Sequence, residues 1–316
     1  VYYSRRAAMN YRTETPRYSA QVINEQWLRK VAMDKAAAEG EGTAFTREKL
    51  RQESFARQIL PPIQLQPDEL DRDVNDDQPR KIVEKEPDSI AVSIPLKARA
   101  RLNYFKGPRY EIKFFKIESE HFRKQKHELL TYQNDIRKII SDNLVKDMAD
   151  QEDKFFLNAV NSICVGNASE QVTSGTWAPT LFSTALRKMV ERRRPVGRML
   201  MTDGLYYRAI EFSATQIGFE QAGRHYDKGV ESENVLFGIP VVRTIKKDIF
   251  TAVDSTNGAN MFFIFTPENF LGKFFVIQDA TLFIKDEADW IEFWTYEVIG
   301  IGIGNTLSVQ KVVASS

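Results

Sequence analysis

The 316-residue chain carries 44 Lys and Arg against 43 Asp and Glu, a net charge of +1, so no global field draws it to nucleic acid or an anionic membrane. Hydrophobic residues at 42% and charged residues at 28% describe a globular chain, and runs such as Met261–Phe265 fall far short of the ~20 residues of a membrane-spanning helix. A single cysteine, Cys164, excludes an intrachain disulfide and fits a reducing compartment, while three histidines (His121, His127 and His225) leave little material for zinc or histidine chemistry.

The N-terminal stretch Val1–Arg6 has neither the apolar run of a secretory signal nor an initiator Met, so a processed chain and one with preceding residues both stay open. Ile23, Trp27 and Val31 stand four apart and predict a helix over 20–38. A second helix is expected to start at Thr46 as N-cap, with Phe45 and Leu50 as a hydrophobic staple, and to stop before Pro61-Pro62. From Pro67 to Asp88 acidic residues dominate, and so few apolar ones predict a mobile linker. Residues 1–88 therefore read as an arm, and deletion of residues 1–60 should leave a folded body.

Ile90, Val92, Ile94 and Leu96 alternate with smaller or polar residues, as do Tyr110, Ile112 and Phe114, which predicts the two limbs of a hairpin. Lys106-Gly107-Pro108-Arg109 is turn chemistry between them. Between Lys97 and Tyr110 there is no acidic residue, yet Lys97, Arg99, Arg101, Lys106 and Arg109 are basic. An isolated hairpin is marginal in water, so this one needs another surface. A long helix is expected over 131–161, capped by Thr131, with Tyr132, Ile136, Ile140 and Leu144 on one stripe that Phe155, Phe156 and Val160 resume. Beyond it, Asn167–Pro179 reads as a polar loop, then a helix through Leu181 and Met189, a strand at 198–201, and a helix capped by Asp203. Strands are expected at 240–245, 261–265, 274–277, 281–285, 291–303 and 307–313, giving an α+β body.

No motif assembles an active site. In Gly300-Ile301-Gly302-Ile303-Gly304-Asn305 the third glycine is misplaced for a dinucleotide fingerprint, and alternate glycines in a β-run favour close approach of a neighbouring segment or chain. Gly272-Lys273 precedes Phe274, not Ser or Thr, and His127-Glu128-Leu129-Leu130-Thr131 lacks the second histidine of a zinc protease. Cys164 among apolar residues reads as a core residue in preference to a nucleophile, and Glu231 with Glu233 as a solvated loop. Arg192-Arg193-Arg194 complements a helix C-terminus, with nucleic-acid contact as the alternative. Tyr104 and Phe105 in the basic hairpin could stack on single strands, but near-neutral net charge favours a protein partner.

Two stretches carry a resemblance. Asp289-Trp290-Ile291-Glu292-Phe293-Trp294-Thr295-Tyr296-Glu297-Val298-Ile299-Gly300 with Ile301–Asn305, and Asn234-Val235-Leu236-Phe237-Gly238-Ile239-Pro240-Val241-Val242, follow a hairpin and a long helix in this order. Over 89–313 the chain resembles the major capsid proteins of tailed bacteriophages, whose Hong Kong 97-type fold also builds encapsulin shells. The resemblance implies an α+β fold with an N-terminal arm (1–88), an extended β-hairpin loop (89–120), a peripheral domain with its spine helix (121–164), an axial domain (165–285) and C-terminal peripheral strands (286–316). It implies a non-enzymatic shell protein of the virion, assembled in the host cytoplasm as hexamers and pentamers of an icosahedral capsid. Scaffolding, portal and decoration proteins and non-specifically contacted double-stranded DNA are the implied partners, with no cofactor, metal or membrane. Inter-subunit contact is expected from the loop residues Arg99, Arg101, Tyr104, Phe105, Lys106 and Arg109 and from the arm residues Ile23, Trp27 and Val31. An encapsulin-like compartment and a nucleic-acid-binding module remain the alternatives.

Overall fold

The computed structural model describes residues 15–72, 78–84, 93, 95–96, 99, 107, 109–131, 135–166, 168–212 and 235–315. Helix α1 (Thr15–Met33) is separated from α2 (Lys35–Glu53) by Asp34 alone. The Asp34 carboxylate accepts from the Ala37 N–H at 3.0 Å, which starts α2 eleven residues earlier than the expected cap. Thr46 is a mid-helix residue instead, buried, its hydroxyl donating to Gly42 O at 2.8 Å. Helix α3 (Phe55–Ile59) is capped by Ser54, whose hydroxyl accepts from the Arg57 N–H, and ends ahead of Pro61-Pro62 as expected.

The stretch read as a linker carries structure: β1 (Ile63–Gln64), a 3-10 turn at Pro67–Glu69, β2 (Asp71–Arg72) and β3 (Pro79–Glu84). Its weak apolar content misled because β3 is held chiefly by pairing, with Val83 packing on the cluster of Leu65, Ile112, Phe114 and Phe275. It runs antiparallel to β4 (Arg109–Lys113), Arg80 opposite Lys113 and Glu84 opposite Arg109, with β2 on its other side. Of the expected partners of β4, Ile90, Val92 and Ile94 lie outside the described residues, and Leu96 is fully exposed.

After β5 (Phe115–Glu118) and β6 (Phe122–Gln125), α4 (Lys126–Thr131) closes with the Thr131 hydroxyl donating back to Glu128 O. Thr131 thus ends a helix and does not begin the long one. That start belongs to Asp135, whose carboxylate accepts from the Lys138 N–H at 2.7 Å. The long helix is α5 (Ile136–Ile140), a π-helical turn at Ser141–Val145, and α6 (Lys146–Gly166). Ile136, Ile140, Leu144, Met148, Glu152, Phe156, Val160 and Cys164 are all buried, one every fourth residue. A helix of 3.6 residues per turn carries such a row off its face, and the wider π turn takes up part of the drift.

The remaining elements are α7 (Ala168–Gln171), β7 (Val172–Thr176), α8 (Pro179–Glu191), β8 (Arg198–Thr202), α9 (Asp203–Ile210), β9 (Val235–Leu236) and β10 (Ile239–Thr244). They continue with α10 (Lys247–Val253), β11 (Met261–Phe265), α11 (Glu268–Leu271), β12 (Lys273–Asp286), β13 (Trp290–Gly302) and β14 (Val309–Ser315). Three expectations are corrected. The polar loop contains β7, recruited by parallel pairing to β14. The two strands expected at 274–285 are one strand, because the turn-favouring Asp279 between them stays in the strand and pairs with Arg57 at 3.0 Å. Asp203 is the first helical residue of α9, after Thr202.

Two compact units share the chain. The first collects 1–49, 118–147 and 280–296; the second collects 50–117, 148–279 and 297–316. In the first, Asn24 of α1 is buried, donating to Leu129 O at 3.0 Å and accepting from the Ile136 N–H at 2.8 Å. Helix α2 lies along β12, where Thr43 and Glu39 side chains accept from the Leu282 and Ile284 N–H groups at 3.0 Å each. Arg47 donates to Ala280 O at 2.9 Å. A Cβ on Gly42 would fall 2.3 Å from a Leu282 methyl carbon, so any larger residue there has to displace the Leu282 side chain.

The second unit is built on a six-stranded sheet, β7-β14-β11-β8-β10-β9. Its central strand β11 is buried throughout, which is why Met261–Phe265 is apolar without alternation. Phe262 and Ile264 pack with Phe182, Leu205 and Val312, while Phe263 and Phe265 meet Phe250 and Phe156. A second sheet has the order β1-β12-β13-β5, with β6 also pairing β13.

Candidate assembly site

The base of the expected extended loop is in the second unit, where β4 and the residue that follows it lay Tyr110, Ile112 and Phe114 against the glycine run. A Cβ on Gly300 would come within 2.9 Å of Ile112 and Phe114, on Gly302 within 2.4 Å of Ile112, and on Gly304 within 2.6 Å of Tyr110. The alternate glycines are therefore a trough for side chains of the same chain, and Ile112 and Phe114 are buried in it. This fixes where the loop leaves the body. Arg109 lies at that point, exposed and paired with Glu84 at 2.6 Å. Arg99 is exposed; Arg101, Tyr104, Phe105 and Lys106 lie outside the described residues.

The three arm residues part company. Val31 is buried in the first unit, so its side chain is already committed to its own chain. Ile23 and Trp27 are half-buried; Trp27 packs on Phe293 with ring centroids 5.4 Å apart, and both residues line a groove of about 520 Å³ with Lys30, Glu41, Phe45 and Ile140. Residues 15–60 are helical and packed, which corrects the reading of this stretch as an arm without a seat.

A buried charge cluster was not foreseen. The guanidinium of Arg57, at the end of the former arm, donates to Glu152 at 2.6 Å, Glu297 at 2.8 Å and Asp279 at 3.0 Å. Burial works against its charge, but the three carboxylates outweigh it and hold its pKa above the ordinary arginine value. Burial, aided by repulsion from Glu152, raises the Glu297 pKa well above the carboxylate range. Its Oε1 has no hydrogen-bond partner when ionised; a proton there finds Glu152 as acceptor, so the neutral acid satisfies the site. Next to it, Asp153 accepts from Ser54 Oγ, the Ala56 N–H and Lys246 Nζ at 3.0, 2.9 and 2.6 Å, yet burial still lifts it to about 7. The signal was present in the periodicity: Glu152 and Asp153 fall on the apolar stripe of the long helix, and Glu297 on the inward parity of β13.

The discarded catalytic candidates are structural here. Cys164 is fully buried, and burial pushes its thiol up to about 11, the opposite of a nucleophile's requirement. Arg192 stands at the C-cap of α8 and donates to Gln310 Oε1 at 2.6 Å, and Arg193 has φ 56°, the left-handed turn that ends the helix. Glu231 and Glu233 lie outside the described residues. Among the described residues no cluster of three His, Cys, Asp or Glu is placed for a metal ion, and no helix is long and apolar enough to cross a membrane.

No protein-family model matches the sequence, and comparison with curated proteins finds no match. Solved structures do match. One is a virus-like particle from Pyrococcus furiosus, at 14% identity and TM-score 0.52 over 86% of this chain and 98% of that chain. Others are the capsid of the cyanophage P-SCSP1u (12% identity, TM-score 0.55, 75% and 84% of the two chains) and the mature capsid of bacteriophage PhiM1 (7%, 0.58, 84% and 88%). The chain has the Hong Kong 97-type capsid fold. The Hong Kong 97-type relatives are structural shell proteins, and at these identities the likeness establishes the architecture, α+β as expected.

Proposed function

We propose that this chain is the major capsid protein of a tailed bacteriophage, which assembles into the icosahedral shell around the genome. The observation that carries the reading is the breadth of the structural match: 84–98% of each capsid or particle chain named above is paired with this one. In this reading 89–120 is the extended loop, 121–164 carries the spine helix of the peripheral domain, and 165–285 is the axial domain of hexamers and pentamers; of the expected peripheral stretch 286–316, β14 pairs with β11 and β7 and goes with the axial sheet instead. Arg99, Arg101, Tyr104, Phe105, Lys106 and Arg109 reach the neighbouring subunit, as do the half-exposed Ile23 and Trp27. A subunit edge worth little alone becomes a stable shell because several neighbours hold each copy at once. The protein acts without catalysis, in the virion, after assembly in the host cytoplasm, with double-stranded DNA contacted non-specifically inside.

A second reading, an encapsulin-like compartment without a genome, draws on the likeness to a virus-like particle. Expression of the full chain followed by electron microscopy tests both. Closed particles of uniform size are expected, and a monodisperse monomer under all conditions overturns the shell reading. Nucleic acid protected from nuclease inside particles from infected cells supports the virion over the compartment.

A further inference from the structure

In the second unit a cleft of about 380 Å³ opens between the loop base and α11, lined by Tyr110, Arg194, Phe270, Lys273 and Asn305 among others. Its charge is one-sided. The carboxylate on its wall, Glu84, is engaged by Arg109 at 2.6 Å. Arg194 and Lys273 are half-buried, and among the described residues no carboxylate pairs with either, although Glu268 shares the wall of a smaller neighbouring cleft with Lys273. Arg194 Nε is shut off from water without an acceptor. A guanidinium spreads its charge over all its nitrogens, so an anion at the outer two offsets the cost of holding it there. Asn305 is the third group. It is 7% exposed, and its Oδ1 accepts from the Leu307 N–H at 3.2 Å, which fixes the amide and leaves its N–H groups without an acceptor among the described residues.

The charge count selects the ligand. Two unmatched cations and a buried amide donor suit a group with about two negative charges and three acceptor oxygens, which is a phosphate monoester near neutral pH. A carboxylate brings half that charge. The volume asks for more than the anion, since it falls within the ~300–1,000 Å³ of small-molecule sites. Phe270 is 48% exposed at the rim, and with Tyr110 it offers ring surface on which an aromatic body can lie. We propose that the cleft of Arg194, Lys273 and Asn305 binds a small phosphate monoester whose organic part is aromatic. The inference goes beyond the shell reading and does not depend on it.

Calorimetric titration of the full-length protein tests it, with phenyl phosphate as the probe. Saturable binding at one site per chain is expected, with weaker binding of inorganic phosphate and benzoate and none of phenol. Arg194→Gln with Lys273→Gln should lower the affinity for phenyl phosphate by about tenfold or more, since both charged donors are lost. Phe270→Ala should weaken phenyl phosphate and leave inorganic phosphate unchanged. Circular dichroism and melting of each variant must match the parent, and if the double variant fails this, Lys273→Gln alone replaces it. No saturable binding by the parent, unchanged affinity in either variant, or phenol bound as tightly as phenyl phosphate overturns the site. Tighter binding of benzoate assigns the cleft to a carboxylate and overturns the proposal as well. So does a short single-stranded DNA that displaces phenyl phosphate and binds more tightly, which assigns the cleft to nucleic acid. Each of these failures leaves the shell reading standing, because that reading is decided by particle formation.

Discussion

Arg57 shows how much can hang on one side chain. Removing it as Arg57→Ala leaves the Glu152 carboxylate buried without its cation and Glu297 without its hydrogen-bond donor, a loss of about 3–5 kcal/mol by the usual cost of breaking a buried ion pair. Equilibrium urea unfolding reads this as a lower midpoint with an unchanged slope. Glu297→Gln should behave otherwise, because burial already keeps that carboxyl neutral and the amide copies its shape. The pH dependence follows from the raised groups. A carboxyl whose folded pKa lies above its unfolded value binds its proton more tightly when folded, so its support is complete below the unfolded value and is lost as pH rises. For Asp153 that window runs from the ordinary 3.8 to about 7, and Glu297 extends the decline in the same direction. The melting temperature of the parent should therefore fall across this range, and Glu297→Gln should fall less steeply. A parent stability that rises with pH over the window would contradict the assignment of protons in the cluster.

At the level of elements, the loop base is pinned by complementary volumes: β4 supplies bulk and β13 supplies its absence. Gly302→Ala places a methyl 2.4 Å from Ile112 Cγ1, and Ile112, 1% exposed, has nowhere to retreat. The expected cost is about 1–3 kcal/mol of overpacking, and Ile112→Val in the same chain should recover part of it. A double-mutant cycle by thermal melting measures the coupling, and strictly additive losses would mean the two residues do not meet. This trough was half-legible in the sequence. The period of two in 291–303 and the alternate glycines were plain, and so was the need for close approach, but not what approaches. Pairing of β3 with β4 was illegible because Pro79–Glu84 holds only Ile82 and Val83 as large apolar residues; its order comes from a ladder to residues far along the chain. The strands at 239–244 and 261–265 and the helix over 179–191 were readable because their burial follows local periodicity or continuous apolarity. Thr46 and Thr131 failed as caps for one reason: a hydroxyl can serve a helix interior by donating to a carbonyl one turn back, and residue type alone does not separate the two uses.

At the scale of the molecule, the chain's first sixty residues decide whether it behaves as a body with a removable arm. In the first unit, α2 satisfies the Leu282 and Ile284 amides along β12, and without it that edge exposes unpaired donors of the kind that recruit other strands. In the second, Leu50, Phe55, Ile59 and Leu60 are each at most 3% exposed. At about 1.5–3 kcal/mol per buried side chain, these four contribute about 6–12 kcal/mol before ordering costs, as much as a whole domain's usual margin. Arg57 goes with them, stranding the buried Glu152. Deletion of residues 1–60 is thus expected to abolish folding, against the expectation from sequence that a folded body survives. Far-UV circular dichroism and size-exclusion chromatography of the truncated chain decide it. Loss of the cooperative melt with soluble aggregates is the expected result, and a monodisperse, cooperatively melting product would mean that these helices are dispensable to the body and free to serve a neighbour.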